Sequence, residues 1–96
     1  MGFRGQHKNK RDAIEPDVID AIEARGIAVY TMDRPVDLLC TFNGANLLVE
    51  VKSGPKARLT PPQEKFFGWW PGQKVIISSV AEADAWAEMI SRSPVD

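Results

Sequence analysis

Two carboxylates and one lysine are the residues of this sequence whose types and spacing most directly indicate chemistry. Asp37 precedes one apolar run, and Glu50 and Lys52 close the next. Between the runs, Asn43-Gly44 is the strongest short signal for a two-residue type I′ hairpin turn. That turn places Asp37 directly opposite Glu50, with their Cβ atoms roughly 5 Å apart. Lys52 then lies two residues further along, on the strand face that carries Glu50.

Opposed like charges destabilise a strand pair unless a cation compensates them, and an isolated buried charge is costly. One interpretation is an ion pair of Lys52 with either acid at the end of the sheet. The other, which we favour, is a metal site. Mg²⁺ takes one or two carboxylates and several waters, so Asp37 and Glu50 would be ligands and the Val51 carbonyl a further one. With Lys52 beside it, such a site suits hydrolysis of a phosphodiester.

The elements that must position these residues follow the order α-β-β-β-α-β-α. We expect helices at about 13–25, 60–70 and 81–90, and strands at 27–31, 36–42, 45–52 and 74–78. This order predicts a compact α/β sandwich around a mixed four-stranded sheet, with the last strand parallel to its neighbour because a helix precedes it. The two hairpin strands are apolar enough to predict burial on both faces.

The helices have recognisable ends and apolar faces. Asp12 could cap the first helix, while Thr60, Pro61 and Gln63 occupy the cap, first-turn and capping-box positions of the second. Trp69 lies off the apolar stripe of the second helix and is the best exposed candidate for stacking on a base. The predicted inward faces are Ile14, Val18, Ile19 and Ile22, then Phe66, Phe67 and Trp70, then Ala85, Trp86 and Met89.

Composition indicates one ordinary globular domain. The 96 residues are 44% hydrophobic and 26% charged, with neither a signal peptide nor an apolar stretch of spanning length, so we expect a cytoplasmic protein and no membrane. Residues 1–11 predict a flexible basic arm, and residues 12–96 a single domain. The sole cysteine, Cys40, excludes an intrachain disulfide and is predicted to be a buried, inert thiol.

The net charge of −1 argues by itself against a nucleic-acid partner, but the charges are segregated. Basic residues concentrate in 1–11 and 52–80, and acidic residues in 12–25 and 81–96. This distribution is typical of a phosphate-facing surface, although an ordinary solvated surface remains the alternative. The candidates for contacts with backbone phosphate are Arg11, Lys56, Arg58 and Lys65.

The segments Pro35-Val36-Asp37 and Glu50-Val51-Lys52 resemble the core motif of the PD-(D/E)xK nuclease superfamily. The closest resemblance is to the minimal virus-type replication–repair nuclease (VRR-NUC) domain, which is akin to archaeal Holliday-junction resolvases. It covers roughly residues 12–80 and includes Glu15 ahead of the first helix and Gln63 after the core strand.

The resemblance implies a restriction-endonuclease-like core and Mg²⁺- or Mn²⁺-dependent endonucleolytic cleavage of DNA. It makes Asp37 and Glu50 metal ligands, makes Lys52 catalytic, and matches Glu15 and Gln63 to a first-helix acid and a second-helix glutamine. It also implies a homodimer acting on branched DNA, in repair, in a bacterial or phage-infected cell. Two alternatives stay open: Glu15 and Gln63 can be helix-start and capping residues, and the domain can be a catalytically silent DNA-binding or protein-interaction module.

Overall fold

A four-stranded mixed sheet organises the protein, whose computed structural model describes residues 11–54 and 57–92. The elements are α1 (Glu15–Glu23), β1 (Ala28–Thr31), β2 (Leu38–Phe42), β3 (Ala45–Val51), α2 (Pro61–Trp69), β4 (Lys74–Ile77) and α3 (Val80–Ser91). The strands lie in the order β1-β2-β3-β4, and β4 runs parallel to β3. The predicted element order and mixed sheet are therefore confirmed. Within the described ranges, no helix has the length and hydropathy needed to cross a membrane.

The central hairpin has the predicted turn and register. Asn43 and Gly44 have φ values of 52° and 82°, as a type I′ turn requires. Phe42 pairs with Ala45, and the ladder continues to the pair of Leu38 with Val49. The next step along the hairpin therefore brings residue 37 opposite residue 50.

One face of the sheet carries the core. α1 and α3 pack against each other and against this face, to which β2 contributes the fully buried Cys40. Burial raises the pKa of that thiol to about 12, which agrees with the predicted inert cysteine. The buried residues of the core are Val18, Ile19, Ile22, Ile27, Val29, Leu38, Cys40, Leu47, Val49, Val51, Ile77, Ala83 and Ala87.

The opposite face of the sheet is more open, which corrects the prediction of two-sided burial. Leu39 and Leu48 are only half-buried on this face, and Tyr30 and Ile76 are exposed. Both covering helices with buried residues lie on the other face, so apolar composition alone overestimated burial here. Glu50 is the exception, because it is buried at the end of this open face.

α3 buries a different stripe from the one predicted. Ala83 and Ala87 are fully buried, whereas Ala85 is exposed and Met89 is 59% exposed. Trp86 is partly buried against the core, so that part of the prediction is confirmed. The helix is apolar around most of its circumference, and the two small alanines are the residues that face α1 and the sheet most closely.

α2 has no buried residue, which contradicts the predicted burial of its aromatic stripe. Phe66, Phe67 and Trp70 are half-buried and lie outside the core cluster. The rings of Phe66 and Trp70 stack with centroids 5.5 Å apart, and Phe66 meets Phe67 edge-on at 6.1 Å. The aromatic residues of α2 thus pack against one another at the surface.

Candidate active site at the end of the central hairpin

The carboxylates of Asp37 and Glu50 close the open end of the hairpin. The Asp37 N–H donates to Glu50 Oε1 at 3.2 Å, and the Val51 N–H donates to Asp37 Oδ2 at 2.8 Å. These two amides lie just beyond the last ladder pair of β2 and β3, Leu38 with Val49. Each acid therefore accepts a hydrogen bond from the opposite strand, and the predicted opposition of the two acids is confirmed.

Glu50 is the buried member of the pair, with 2% of its surface exposed. Burial, followed by the charge of Asp37, raises the pKa of Glu50 to about 7, against the opposing effect of Lys52. Lys52 Nζ lies 3.5 Å from Glu50 Oε2. When both acids are ionised, the site therefore carries more negative charge than Lys52 offsets.

Gln63 performs two functions with one amide. Its Oε1 accepts from the Thr60 N–H at 2.9 Å, while Thr60 Oγ1 accepts from the Gln63 N–H, so the predicted capping box is present. Because the cap requires an acceptor at Thr60, the amide NH₂ is directed to the other side. There Nε2 donates to Glu50 Oε2 at 2.8 Å. The capping and site roles of Gln63 are therefore compatible.

Glu15 acts on the site through Arg11. Glu15 is the first residue of α1, is 4% exposed and accepts Arg11 Nε on Oε1 at 3.0 Å. Arg11 also donates to the carbonyls of Met32, at 2.7 Å, and of Asp37, at 3.3 Å. Burial lowers the pKa of Arg11, but the hydrogen bond and charge of Glu15 outweigh it and the pKa is raised. The guanidinium thus ties the start of α1 to the backbone that carries Asp37.

Asp12 makes a contact that the sequence did not reveal. Its Oδ1 accepts from Ser53 Oγ at 2.6 Å, and its Oδ2 from the Ser53 N–H at 2.8 Å. Asp12 is not the predicted N-cap of α1, since that residue is Ile14 and has no side-chain cap. Asp12 instead closes the preceding turn, where its Oδ1 accepts from the Ile14 N–H at 3.1 Å. Although burial acts to raise it, the pKa of Asp12 is lowered by the bonds from Ser53 and Ile14 and by the charge of Lys52. Asp12 therefore holds the chain directly after Lys52.

An open cleft of about 630 Å³ brings these residues together. Arg58 also lines it, whereas Lys65 lies outside it, exposed on α2. The predicted phosphate contact Lys56 and most of the predicted basic arm, residues 1–10, fall outside the described residues. The predicted site residues that line the cleft are Arg11, Asp37, Glu50, Val51, Lys52, Arg58 and Gln63.

The residues of the cleft suit a cation that keeps several water ligands, such as Mg²⁺, better than a cation held entirely by protein side chains. Residues 11–54 and 57–92 contain no group of three or more His, Cys, Asp or Glu side chains that could hold a metal. Asp37 and Glu50 both line a cleft that is open to solvent, and two carboxylates are what Mg²⁺ commonly takes with retained waters. Their excess negative charge is a second reason for a divalent cation to fit.

The chain matches no protein-family model, no curated protein and no solved structure. Its functional interpretation therefore depends on the geometry of its own residues.

Proposed function

We propose that this protein is a metal-dependent endodeoxyribonuclease of the PD-(D/E)xK type, with a restriction-endonuclease-like core similar to the VRR-NUC domain. One observation carries the proposal. The hairpin register brings the carboxylates of Asp37 and Glu50 together at the ends of neighbouring strands, with Lys52 3.5 Å from Glu50 in an open cleft.

Asp37 and Glu50 are the residues that would hold Mg²⁺ or Mn²⁺, with the Val51 carbonyl at the same strand end. When bound, the ion supplies positive charge that stabilises the phosphate as negative charge builds up on it. Both acids must be ionised for this role. The ion therefore competes with the proton that the raised pKa of Glu50 favours.

Lys52 supplies the second positive charge in the cleft. Its side chain is 21% exposed, so its ammonium can donate to a phosphate oxygen or hold the water that attacks phosphorus. In the reaction the water oxygen bonds to phosphorus and releases a proton to solvent. The bond to the leaving sugar oxygen breaks, and that oxygen takes a proton from solvent. Gln63 holds Glu50 in place through Oε2 and is a positioning residue.

DNA is the proposed substrate because cations lie in the cleft and on α2, the helix whose Gln63 lines the cleft. Arg58 lines the cleft and Lys65 is exposed on α2, where each can contact backbone phosphate without reading sequence. Contacts to backbone phosphate carry no sequence information, which favours recognition of branched DNA by its shape. A homodimer and a role in bacterial or phage DNA repair belong to the same proposal.

A catalytically silent DNA-binding module is the second candidate, and one observation favours it. Both oxygens of Glu50 already accept hydrogen bonds, from the Asp37 N–H and from Gln63. Arg11 Nη2 also lies 4.0 Å from Asp37 Oδ1. Protein groups therefore satisfy much of the site without a metal.

A cleavage assay separates the two candidates. Linear duplex, single-stranded, flap and four-way-junction DNA are incubated with Mg²⁺ or Mn²⁺, with and without chelator. We expect metal-dependent cutting that is lost in Glu50→Gln and Lys52→Ala. Glu64→Gln, the same chemical change at an exposed carboxylate of α2, is the matched control and should cut normally. Binding without cutting on every substrate would favour the silent module, and chelator-resistant cutting would exclude the proposed metal.

A further inference from the structure

A second cavity continues the catalytic cleft past Gln63. It has a volume of about 500 Å³ and shares Asp33, Thr60 and Gln63 with the cleft. Arg34 and Pro62 are among its other lining residues. A strand of nucleic acid that leaves the carboxylates along this groove therefore reaches the flank of α2.

That flank leads to an exposed aromatic ring. Lys65, Phe66 and Trp69 follow Pro62 by three, four and seven positions, a spacing that places them along one side of an α-helix. With a rise of 1.5 Å per residue, Trp69 lies about 10 Å along the axis from Pro62. This is about three nucleotide steps at 3.4 Å, the rise per nucleotide when the bases stay stacked as in a duplex.

Neighbouring aromatic rings contact Trp69, and most of its surface is exposed to solvent. Its ring centroid lies 6.4 Å from that of Phe66 and 5.6 Å from that of Trp70, yet 69% of the residue is exposed. Such support limits the motion of the ring while leaving surface for a stacking partner. The contacts with Phe66 and Trp70 therefore make Trp69 a supported, solvent-facing platform.

The charges around the platform favour a polyanion over a second protein surface. Lys65 is exposed on the adjoining turn, and Arg34 is exposed at the second cavity. Asp33, the acid of that cavity, is paired with Arg11 at 3.4 Å.

We propose that Arg34, Pro62, Lys65 and Trp69 form a track for a single-stranded nucleotide tail, with an unpaired base stacked on Trp69. Arg34 and Lys65 contact the phosphates of that tail, and aromatic stacking accepts any base. This inference rests on the proposed nuclease function and narrows its substrate. The enzyme selects DNA whose scissile phosphate adjoins an unpaired tail or flap, rather than a fully paired junction.

Binding measured without cleavage tests the track. The probes are a short duplex with a single-stranded thymidine tail and a blunt duplex of equal length, both in chelator. We expect Trp69→Ala to weaken binding of the tailed probe about 10-fold, as loss of one stacked base would. Its affinity for the blunt duplex should stay unchanged, and Trp69→Phe should restore tail binding. Met89→Ala removes an apolar side chain that is 59% exposed on α3, and it should leave both affinities unchanged.

The outcomes separate this inference from the proposed activity. Loss of tail binding in Trp69→Ala supports the track even if the protein cuts no DNA. Equal loss on both probes, or no loss on either, would overturn the track even if metal-dependent cleavage is found. The remaining case is that Trp69 is a dimer contact, which sedimentation of the same variants tests. If the wild type is a dimer and Trp69→Ala is a monomer, the ring belongs to self-association and the proposal is overturned.

Discussion

Replacing Glu50 by glutamine should change how the stability of the metal-free protein depends on pH. Glu50 is 2% exposed, and its burial and the charge of Asp37 raise its pKa from 4.5 to about 7. The folded state therefore binds this proton more tightly than the unfolded state does. The stabilisation that results is fully present below pH 4.5 and is lost as the pH rises through about 7.

The magnitude follows from that pKa difference. A rise from 4.5 to about 7 corresponds to roughly 3 kcal/mol of free energy at 1.36 kcal/mol per pKa unit. Solvent reaches the side chain of Lys52, whose Nζ lies 3.5 Å from Glu50, and screens the charges of the site. We therefore expect the wild-type protein to lose about 1–3 kcal/mol of unfolding free energy between pH 4.5 and pH 8. Glutamine has the shape of glutamate but does not ionise, so the Glu50→Gln protein should not lose this contribution.

Urea unfolding of both proteins at the two pH values, in chelator, measures the effect. The quantity of interest is the change with pH in their difference, because hydrogen-bond differences that do not depend on pH then cancel. Glu64→Gln, at an exposed site, should follow the wild type. Mg²⁺ added at pH 8 should restore stability to the wild type but not to Glu50→Gln, by about 2.7 kcal/mol at a hundredfold excess over the dissociation constant. A wild type that loses no stability relative to Glu50→Gln as the pH rises would exclude a raised pKa for Glu50 in the folded state.

Three further predictions concern the hairpin, the cap and the lysine. Lys52→Ala should slow single-turnover cleavage by on the order of 100-fold or more, while Mg²⁺ should still raise the melting temperature of the variant. Loss of both the cleavage and the rise in melting temperature would show that Lys52 has a structural role. Thr60→Ala and Gln63→Ala should each lower the free energy of unfolding by about 1 kcal/mol, since each breaks the capping box, but only Gln63→Ala should impair cleavage. Equal activity of these two variants would contradict the positioning role. Gly44→Ala should cost about 1 kcal/mol in urea unfolding because the residue has φ of 82°, and an unchanged midpoint would count against the turn.

The predictions that succeeded concern signals read between near neighbours in the chain. The Asn43-Gly44 turn determines the hairpin register, and the capping box spans only Thr60 to Gln63. Both depend on backbone conformation within a few residues, which side-chain type largely decides. Most of the predictions that failed concern burial, as for the exposed Met89 of α3, because burial depends on which elements lie opposite. The helix cap predicted at Asp12 is the local exception, since α1 begins later and Ile14 is its N-cap residue.

The order of the elements and the opposition of Asp37 to Glu50 could be predicted from the sequence. The contacts that hold those two acids in place are visible only in the folded protein. Asp12 meets Ser53 across 41 positions, and Gln63 reaches Glu50 across 13, with no local pattern to announce either contact. Local signals act through torsions and hydrogen bonds a few residues apart, whereas these contacts require separate segments to be packed against one sheet end first. The turn sets the two acids opposite each other, and the packing of the other segments supplies the groups that surround them.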